Sequence, residues 1–460
     1  MKSIVNSYIS NKETTDQNSA VQLIAETGKS NIEELHSMYE QYSCQCDETG
    51  MYDRFLVVER AQGLNVWFKG ESKPYLDLVM GFASLNLGHQ HPRVKEAVLE
   101  AIGNIDHIHS FNSESKILLS KILAEKAPGN FPKKVYYPVG GAMAVDTAIK
   151  LARAFTKKPR IASFTGAFHG FSYGAMMATD DPIINKWQYG PYPGEVVRLP
   201  YAYCYRCEHA KCRFQCLKAA EQLLSQNNDI AALIIEPIQG HAGFIIPPRE
   251  FIVGLKELCQ VNDILFIDDE IQVGMGRTGR MFCIEHFNVE PDIILLSKSL
   301  AGGYYPLSAV IARAEIWDCI SPAGSGIGST FVNSPLGTYI ALQVQKILEE
   351  ENYVSNAYRT GAYFTRELKR FERFQNIDNV TGLGLIQSFE VVKNKKTKEP
   401  APAIANKIRS EGLKQRVIIN VTGLKKSRIK FTLPLWVSRE DIDVIVAKLE
   451  DILERAGLTE

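Results

Sequence analysis

The chain has 460 residues, 45% apolar and 23% charged, ordinary for a folded globular chain with a sizeable core. Lys plus Arg (52) equals Asp plus Glu (52), which removes any electrostatic case for nucleic acid or an anionic membrane as partner and leaves a small molecule. The opening residues 1–16 are mostly polar and no segment approaches the apolar length of a membrane span, so the chain is expected in the cytoplasm with its nine cysteines reduced.

In chain order, residues 1–50 read as a polar extension containing one short helix, Ile32–Tyr42. Residues 51–95 open a small domain, 96–345 form a large one, and 346–460 complete the small domain. From Lys133 onward, apolar runs at 161–164, 231–235, 264–267 and 293–296 alternate with helical patterns. One such helix has Val145, Ala148, Ile149 and Ala152 on a single face. Alternation of this kind builds βα units around a mostly parallel sheet. A stretch rich in Gly, Pro and aromatics, 187–200, leads into a loop that carries Cys204, Cys207, Cys212 and Cys216. Gly382 and Gly384 resemble a dinucleotide fingerprint only superficially, because 385–392 reads as a strand and not a helix. The charge run 393–398, beside Pro400, is a solvated turn. Last comes a helix with Ile442, Ile445, Val446, Leu449, Ile452 and Leu453 on one face and Ser438 and Asp441 placed as a capping box.

Two strands end in chemistry. Asp269 closes the run at 264–267, and 29 residues later Lys298 follows the run at 293–296. Both leave the carboxyl ends of strands, the edge where open parallel sheets bind ligands. An amine and a carboxylate there point to pyridoxal 5'-phosphate (PLP), which needs a lysine for its aldehyde as a Schiff base and an acid beside its ring nitrogen.

The words around the pair are more specific than the spacing. They read Asp269-Glu270-Ile271-Gln272-Val273-Gly274-Met275-Gly276-Arg277-Thr278-Gly279 and Ser297-Lys298-Ser299-Leu300-Ala301-Gly302-Gly303. Asn86-Leu87-Gly88-His89-Gln90-His91-Pro92, Phe168-His169-Gly170, Glu236-Pro237-Ile238-Gln239-Gly240 and Ser329-Thr330-Phe331 occur in the same register. From about Val66 to the C-terminus the chain resembles the class III (omega-type) PLP-dependent aminotransferases of fold type I. The resemblance implies an α/β fold, with a large domain on a mostly parallel central sheet and a small α+β domain from N- and C-terminal segments.

It also implies roles. Lys298 carries the cofactor and, once released, moves a proton between substrate and cofactor carbons, while Asp269 stabilises the ring cation. Gly140, Gly141 and Ala142 offer backbone amides to the phosphate at a helix start. Phe168 stacks on the ring beside His169, Gln272 bonds the phenolic oxygen, and Glu236 orients neighbouring groups. Thr330 sits where relatives supply a hydroxyl to the phosphate of the neighbouring subunit, which implies a homodimer with shared sites. The implied partners are an amine or amino acid and a keto acid.

Several positions depart from the family pattern. Ala142 and Met143 stand where a hydroxyl and an acid are usual. In Ile429-Lys430-Phe431-Thr432, Lys430 replaces the arginine that commonly clamps a substrate carboxylate, and Arg428, on the same strand face, could substitute. His241 replaces an acid, and Phe171 an arginine. Together with Phe82 these residues describe a substrate pocket tuned away from dicarboxylates, with a weak response to glutamate expected. Cys204, Cys207, Cys212 and Cys216 could hold a tetrahedral zinc, but similar loops are surface features in relatives, and no metal is assigned. An amino acid epimerase uses the same lysine and aspartate and is the alternative, followed by a decarboxylase. A cofactor-less binding relative is disfavoured by the joint presence of Lys298, Asp269, Gln272 and Thr330.

Overall fold

The computed structural model describes residues 27–44, 54–108, 111–182, 184, 186–207, 212–321 and 325–460; the polar opening, 1–26, and the end of the extension, 45–50, lie outside them. The chain divides into one unit of Met1–Arg60 with Val66–Pro74 and a second of Ala61–Asn65 with Tyr75–Glu460.

In the first unit, helix α1 (Ile32–Tyr42) starts at Asn31, whose side chain accepts from Glu34 N while the Glu34 carboxylate reaches back to Asn31 N at 3.1 Å. This reciprocal capping satisfies two donors that the helix start leaves orphaned. The helix buries no side chain fully. Ring contacts hold the unit instead: His36 stacks on Phe55 at 4.5 Å, and Arg60 lies over Trp67 at 3.7 Å.

The second unit is built on seven strands: β1 (Lys133–Tyr136), β2 (Arg160–Phe164), β3 (Val196–Leu199), β4 (Ile230–Ile235), β5 (Leu265–Asp269), β6 (Ile293–Leu296) and β7 (Ala309–Arg313). Their order is β1-β7-β6-β5-β4-β2-β3. Strands β2 to β6 run parallel, and β7 is antiparallel to both β6 and β1, so the sheet is mostly parallel as expected. Every residue of β4 and β6 is buried, the mark of strands covered on both faces. The period-2 alternation of β6 sends Ile294 and Leu296 into one core and Ile293 and Leu295 into the other. Each such side chain favours the folded state by about 2 kcal/mol before entropy is counted. Helix α2 (Gly141–Thr156) lays Ala144, Val145, Ala148, Ile149 and Ala152 against the second core.

Strand β3 falls within the Gly-, Pro- and aromatic-rich stretch 187–200. Its four residues form an edge with only Leu199 fully buried, and Arg198 turns its guanidinium to the carbonyls of Ala178 and Met177. A short edge strand containing a charge and preceded by Gly and Pro has too little apolar alternation to announce itself.

The C-terminal part adds β8 (Ile377–Leu383), β9 (Ile386–Asn394), β10 (Asn420–Thr422) and β11 (Arg428–Thr432), antiparallel in the order β8-β9-β11-β10. Gly384 turns β8 into β9, so the glycine pair precedes a strand and no nucleotide-binding helix. Helix α3 (Arg439–Arg455) starts at the Ser438–Asp441 capping box and buries all six apolar residues of its expected face. The Asn86–His89 word serves the scaffold: His89 Nε2 meets Asp77 Oδ2 at 2.9 Å, Trp436 Nε1 donates to Leu87 O at 2.9 Å, and Asn86 Nδ2 donates to Met275 O at 3.3 Å. No helix among the described residues is long and apolar enough to cross a membrane.

Candidate active site

The carboxyl ends of β4, β5 and β6 converge on one edge of the sheet and present Glu236, Asp269 and Lys298 there. Asp269 pairs in register with Leu295, three residues before Lys298. Its carboxylate is 3% exposed and fully engaged: Oδ1 accepts from Ile271 N at 3.1 Å, and Oδ2 lies 2.7 Å from His169 Nδ1. His169 is fixed in turn by its own amide, which donates to Thr179 Oγ1 at 3.0 Å. An acid held from two sides cannot swing away from whatever cation it faces.

Lys298 has φ +39°, a left-handed value that is costly for a residue with a Cβ. Its neighbours impose the turn. Ser297 Oγ donates to Leu307 O at 3.0 Å, and Ser299 Oγ donates to Ala83 O at 2.6 Å. Strain held in place by packed neighbours is characteristic of a functional position.

Two further acids lie behind this edge. Glu270 accepts from Cys283 N and Ile284 N, both at 2.7 Å, and burial pushes its carboxyl up to about 7 against those bonds. Asp268 is wholly buried, and burial with the neighbouring Glu270 raises it far above the usual carboxylate range, so it is a neutral acid. Glu236 is raised by burial as well, although Phe168 N and Gly240 N, each at 2.9 Å, bond its two oxygens.

Gly140 caps α2 with φ +85° and ψ 159°, a backbone conformation reserved for glycine, and a Cβ there would meet nothing within 4 Å. Conformation, and not space, therefore demands this glycine. The first-turn amides of Gly141 and Ala142 have no intrahelical acceptor and open to an anion. Ser308 Oγ donates to Gly140 O at 2.9 Å and steadies the turn. Thr330 is exposed, and Asn333 bonds Tyr137 through both amide directions, at 2.8 and 3.2 Å, which ties the loop after Thr330 to the strand end leading into the cradle.

Around Phe168 the structure assembles the other expected residues. The Phe171 ring stands 5.2 Å away and the His241 ring 4.9 Å away. Gln272 Nε2 donates to Phe82 O at 3.2 Å, and its Oε1 packs so close to Gly240 that a Cβ there would sit 1.9 Å from it. Lys430 is buried, donates to Gly240 O at 3.2 Å and lies 5.1 Å over the Phe244 ring. Arg428 shares its strand face but is engaged elsewhere: its guanidinium bonds Glu390 Oε2 at 3.1 Å, Tyr203 OH at 3.0 Å, Thr381 Oγ1 at 3.0 Å and Ser388 Oγ at 2.6 Å. The structure thus gathers Lys430 with the site and binds Arg428 into a buried ion pair. Cys212 takes hydrogen bonds from Gln215 N and the Cys207 thiol, which lower its pKa, yet among the described residues no three of His, Cys, Asp and Glu stand where they could hold a metal.

These words and this edge match one family. A model described as aminotransferase class-III covers residues 48–453. The chain belongs to the class III aminotransferases. It is 33% identical over 406 residues to the 5-aminovalerate aminotransferase DavT of Pseudomonas aeruginosa, covering 87% of this chain and 93% of that one. It is 34% identical over 406 residues to a leucine/methionine racemase of Thermococcus litoralis, covering 86% and 90%. The omega transaminase of Pseudomonas jessenii, solved in complex with PMP, superposes with a TM-score of 0.86 at 26% identity over 93% of this chain and 98% of that one. Class III aminotransferases depend on PLP, and the residues present fit it: an engaged buried carboxylate, an aromatic face, a strained strand-end lysine and open helix-start amides.

The motifs did not announce Asp181, the buried partner of His241, nor Glu390, the partner of Arg428. Asp181 lies in an unremarkable Asp-Asp-Pro turn 60 residues from His241. For Glu390 the only signal was a charge set between Phe389 and the apolar pair Val391 and Val392, which demands a counter-charge.

Proposed function

We propose that the protein passes an amino group from an amine or amino acid to a keto acid, with Lys298 and Asp269 as its catalytic pair. The observation that carries this is the meeting of an immobilised, buried carboxylate with a strained lysine on neighbouring parallel strand ends. When bound, PLP supplies an aldehyde carbon that accepts the amino group and an electron sink that lets the adjacent C–H bond ionise. Asp269 would hold the protonated ring nitrogen, Phe168 would cover a ring face and Gln272 would meet the phenolic oxygen. The amides of Gly140–Ala142 would bind the phosphate. Lys298 would hold the group through its amine and, once released, its Nζ would be the base that takes the proton from the substrate carbon.

The exposed face supports a homodimer. Phe111 and Phe331 keep 75% and 53% of their surface exposed, and Thr330 beside Phe331 is exposed too, which suits a hydroxyl offered to the phosphate of a second copy. The cytoplasm suits a chain whose described cysteines are all free thiols. Phe82, Phe171 and Lys430 favour an amine or a weakly polar amino acid as donor over glutamate.

A second reading, racemisation of an amino acid, draws support from the Thermococcus litoralis relative. The visible spectrum separates the two. Purified holoenzyme given single chirally pure amines and amino acids without keto acid should convert lastingly to its pyridoxamine form. A spectrum that recovers while the amino acid loses chirality would establish racemisation instead.

A further inference from the structure

Four of the nine cysteines, Cys204, Cys207, Cys212 and Cys216, fall on one short stretch between β3 and the end of the first turn of the helix Gln215–Ser225. That stretch is anchored to a different part of the fold on each side. Before it, Tyr203 OH donates to Glu390 Oε2 at 2.7 Å, and Tyr205 OH donates to Asp378 Oδ2 at 2.9 Å. The Arg206 guanidinium donates to Glu390 Oε1 at 2.7 Å and to Lys398 O at 2.9 Å. These bonds dock residues 203–206 onto β8 and β9 of the antiparallel sheet. After it, the helix buries Ala220 and Leu224 in the core. Leu217 packs so close to Gly254, in the helix Arg249–Val261, that a Cβ there would sit 2.5 Å from it. Cys207 follows the docked arm, Cys212 precedes the helix, and the Cys207 thiol donates to the Cys212 sulfur.

The two thiols are unequal. Cys212 is exposed, and its sulfur also accepts from the amides of Gln215 and Phe214 at the helix start. Three donors around one exposed sulfur favour the thiolate, the form that attacks a disulfide. Cys204 and Cys216 lie near enough to feel charge on Cys212, but partial burial first, and then that charge, hold both as thiols. Cys207 is half-buried and already in contact with the sulfur it would bond. Elsewhere Cys259 and Cys283 are buried, and Cys319 is exposed but donates to Ile316 O at 3.0 Å. Cys319 is therefore an internal reference for an exposed thiol that lacks such donors.

We propose that Cys207 and Cys212 are a modification site for thiol–disulfide exchange, with a small-molecule disulfide as co-reactant. The Cys212 thiolate attacks one sulfur of the disulfide, forms a mixed disulfide and expels the other half as a thiolate. Cys207, losing its proton to solvent, attacks the Cys212 sulfur and expels the second half. The chain is oxidised by two electrons, and the disulfide is reduced to two thiols, which take up the two protons the cysteines release. The bond joins the arm docked on the antiparallel sheet to the helix packed on the parallel one. A pair kept reduced in the cytoplasm and closed only when that poise shifts acts as a sensor. The proposal stands independently of the aminotransferase reading.

The test incubates reduced holoenzyme with glutathione disulfide and counts thiols over time. They should fall from nine to seven per chain, peptide mapping should place the bond between Cys207 and Cys212, and dithiothreitol should restore all nine. Before the bond closes, Cys212 should take up glutathione about 10-fold faster than Cys319. Cys207→Ser should stop with glutathione held on Cys212, and Cys212→Ser should lose the fast reaction altogether. The oxidised wild-type protein should unfold at a higher temperature than the reduced one, a rise absent from Cys207→Ser. Equal rates at Cys212 and Cys319 would overturn the proposal, as would a bond between any other two cysteines. Zinc bound one to a chain and released as these thiols are titrated would overturn it too. So would a thermal midpoint that oxidation leaves unchanged, because the bond then constrains nothing.

Discussion

Asp269, Glu236 and Lys298 stand at the ends of β5, β4 and β6, and both carboxylates have each oxygen bonded to a named donor. Across the site, Phe82 and Phe171 sit outside the sheet strands and keep 38% and 62% of their surface exposed. One region is rigid because the sheet core makes it so; the other is held by a few contacts between distant loops. Reaction chemistry needs atoms fixed to a fraction of an ångström, and selectivity needs side chains that can be exchanged without unfolding the sheet.

Breaking the rigid region should cost most. Lys298→Ala should lower turnover on the order of 10⁴-fold, since it removes both the cofactor's anchor and the proton carrier, as single-turnover kinetics will show. Asp269→Asn keeps an acceptor for His169 but loses the charge opposite the ring nitrogen. A fall of about 10²- to 10³-fold in kcat is expected, with PLP still retained in a dialysis assay.

The ion pair beside the rim should matter for folding and little for chemistry. Glu390→Leu strands the buried Arg428 guanidinium and should destabilise the protein by about 3–5 kcal/mol, read as a lowered denaturant midpoint.

The buried acids behind the edge give a smaller, pH-dependent effect. Glu270 is raised to about 7 and Asp268 further, so both are protonated in the folded chain at pH values where the unfolded chain has released its protons. Stability is therefore fully present below the unfolded pKa of about 4 and is lost as pH rises through the folded values. Asp268→Asn, which is neutral in both states, should remove part of that loss, so that its stability falls less steeply than that of wild type as pH rises from about 4. Thermal midpoints across pH check this.

How legible each region was in the sequence follows the same division. The runs at 231–235, 264–267 and 293–296 are strands because uninterrupted apolar residues suit a sheet covered on both faces, and Asp269 and Lys298 were readable as the polar residues that end them. β3 was not readable, because an edge strand needs little apolar surface. Period 2 correctly put Arg428 and Lys430 on one face, but it carries no information on what that face meets, and Glu390 takes one residue while Gly240 O receives the other. The pairing of His241 with Asp181 joins two loops by tertiary approach alone, which no local pattern encodes.

The most direct test of the Lys298 assignment is borohydride reduction of the holoenzyme followed by peptide mapping. The pyridoxyl mass should fall on Lys298 and on no other lysine. Its appearance on another residue, or a holoenzyme that takes no label at all, would contradict the account.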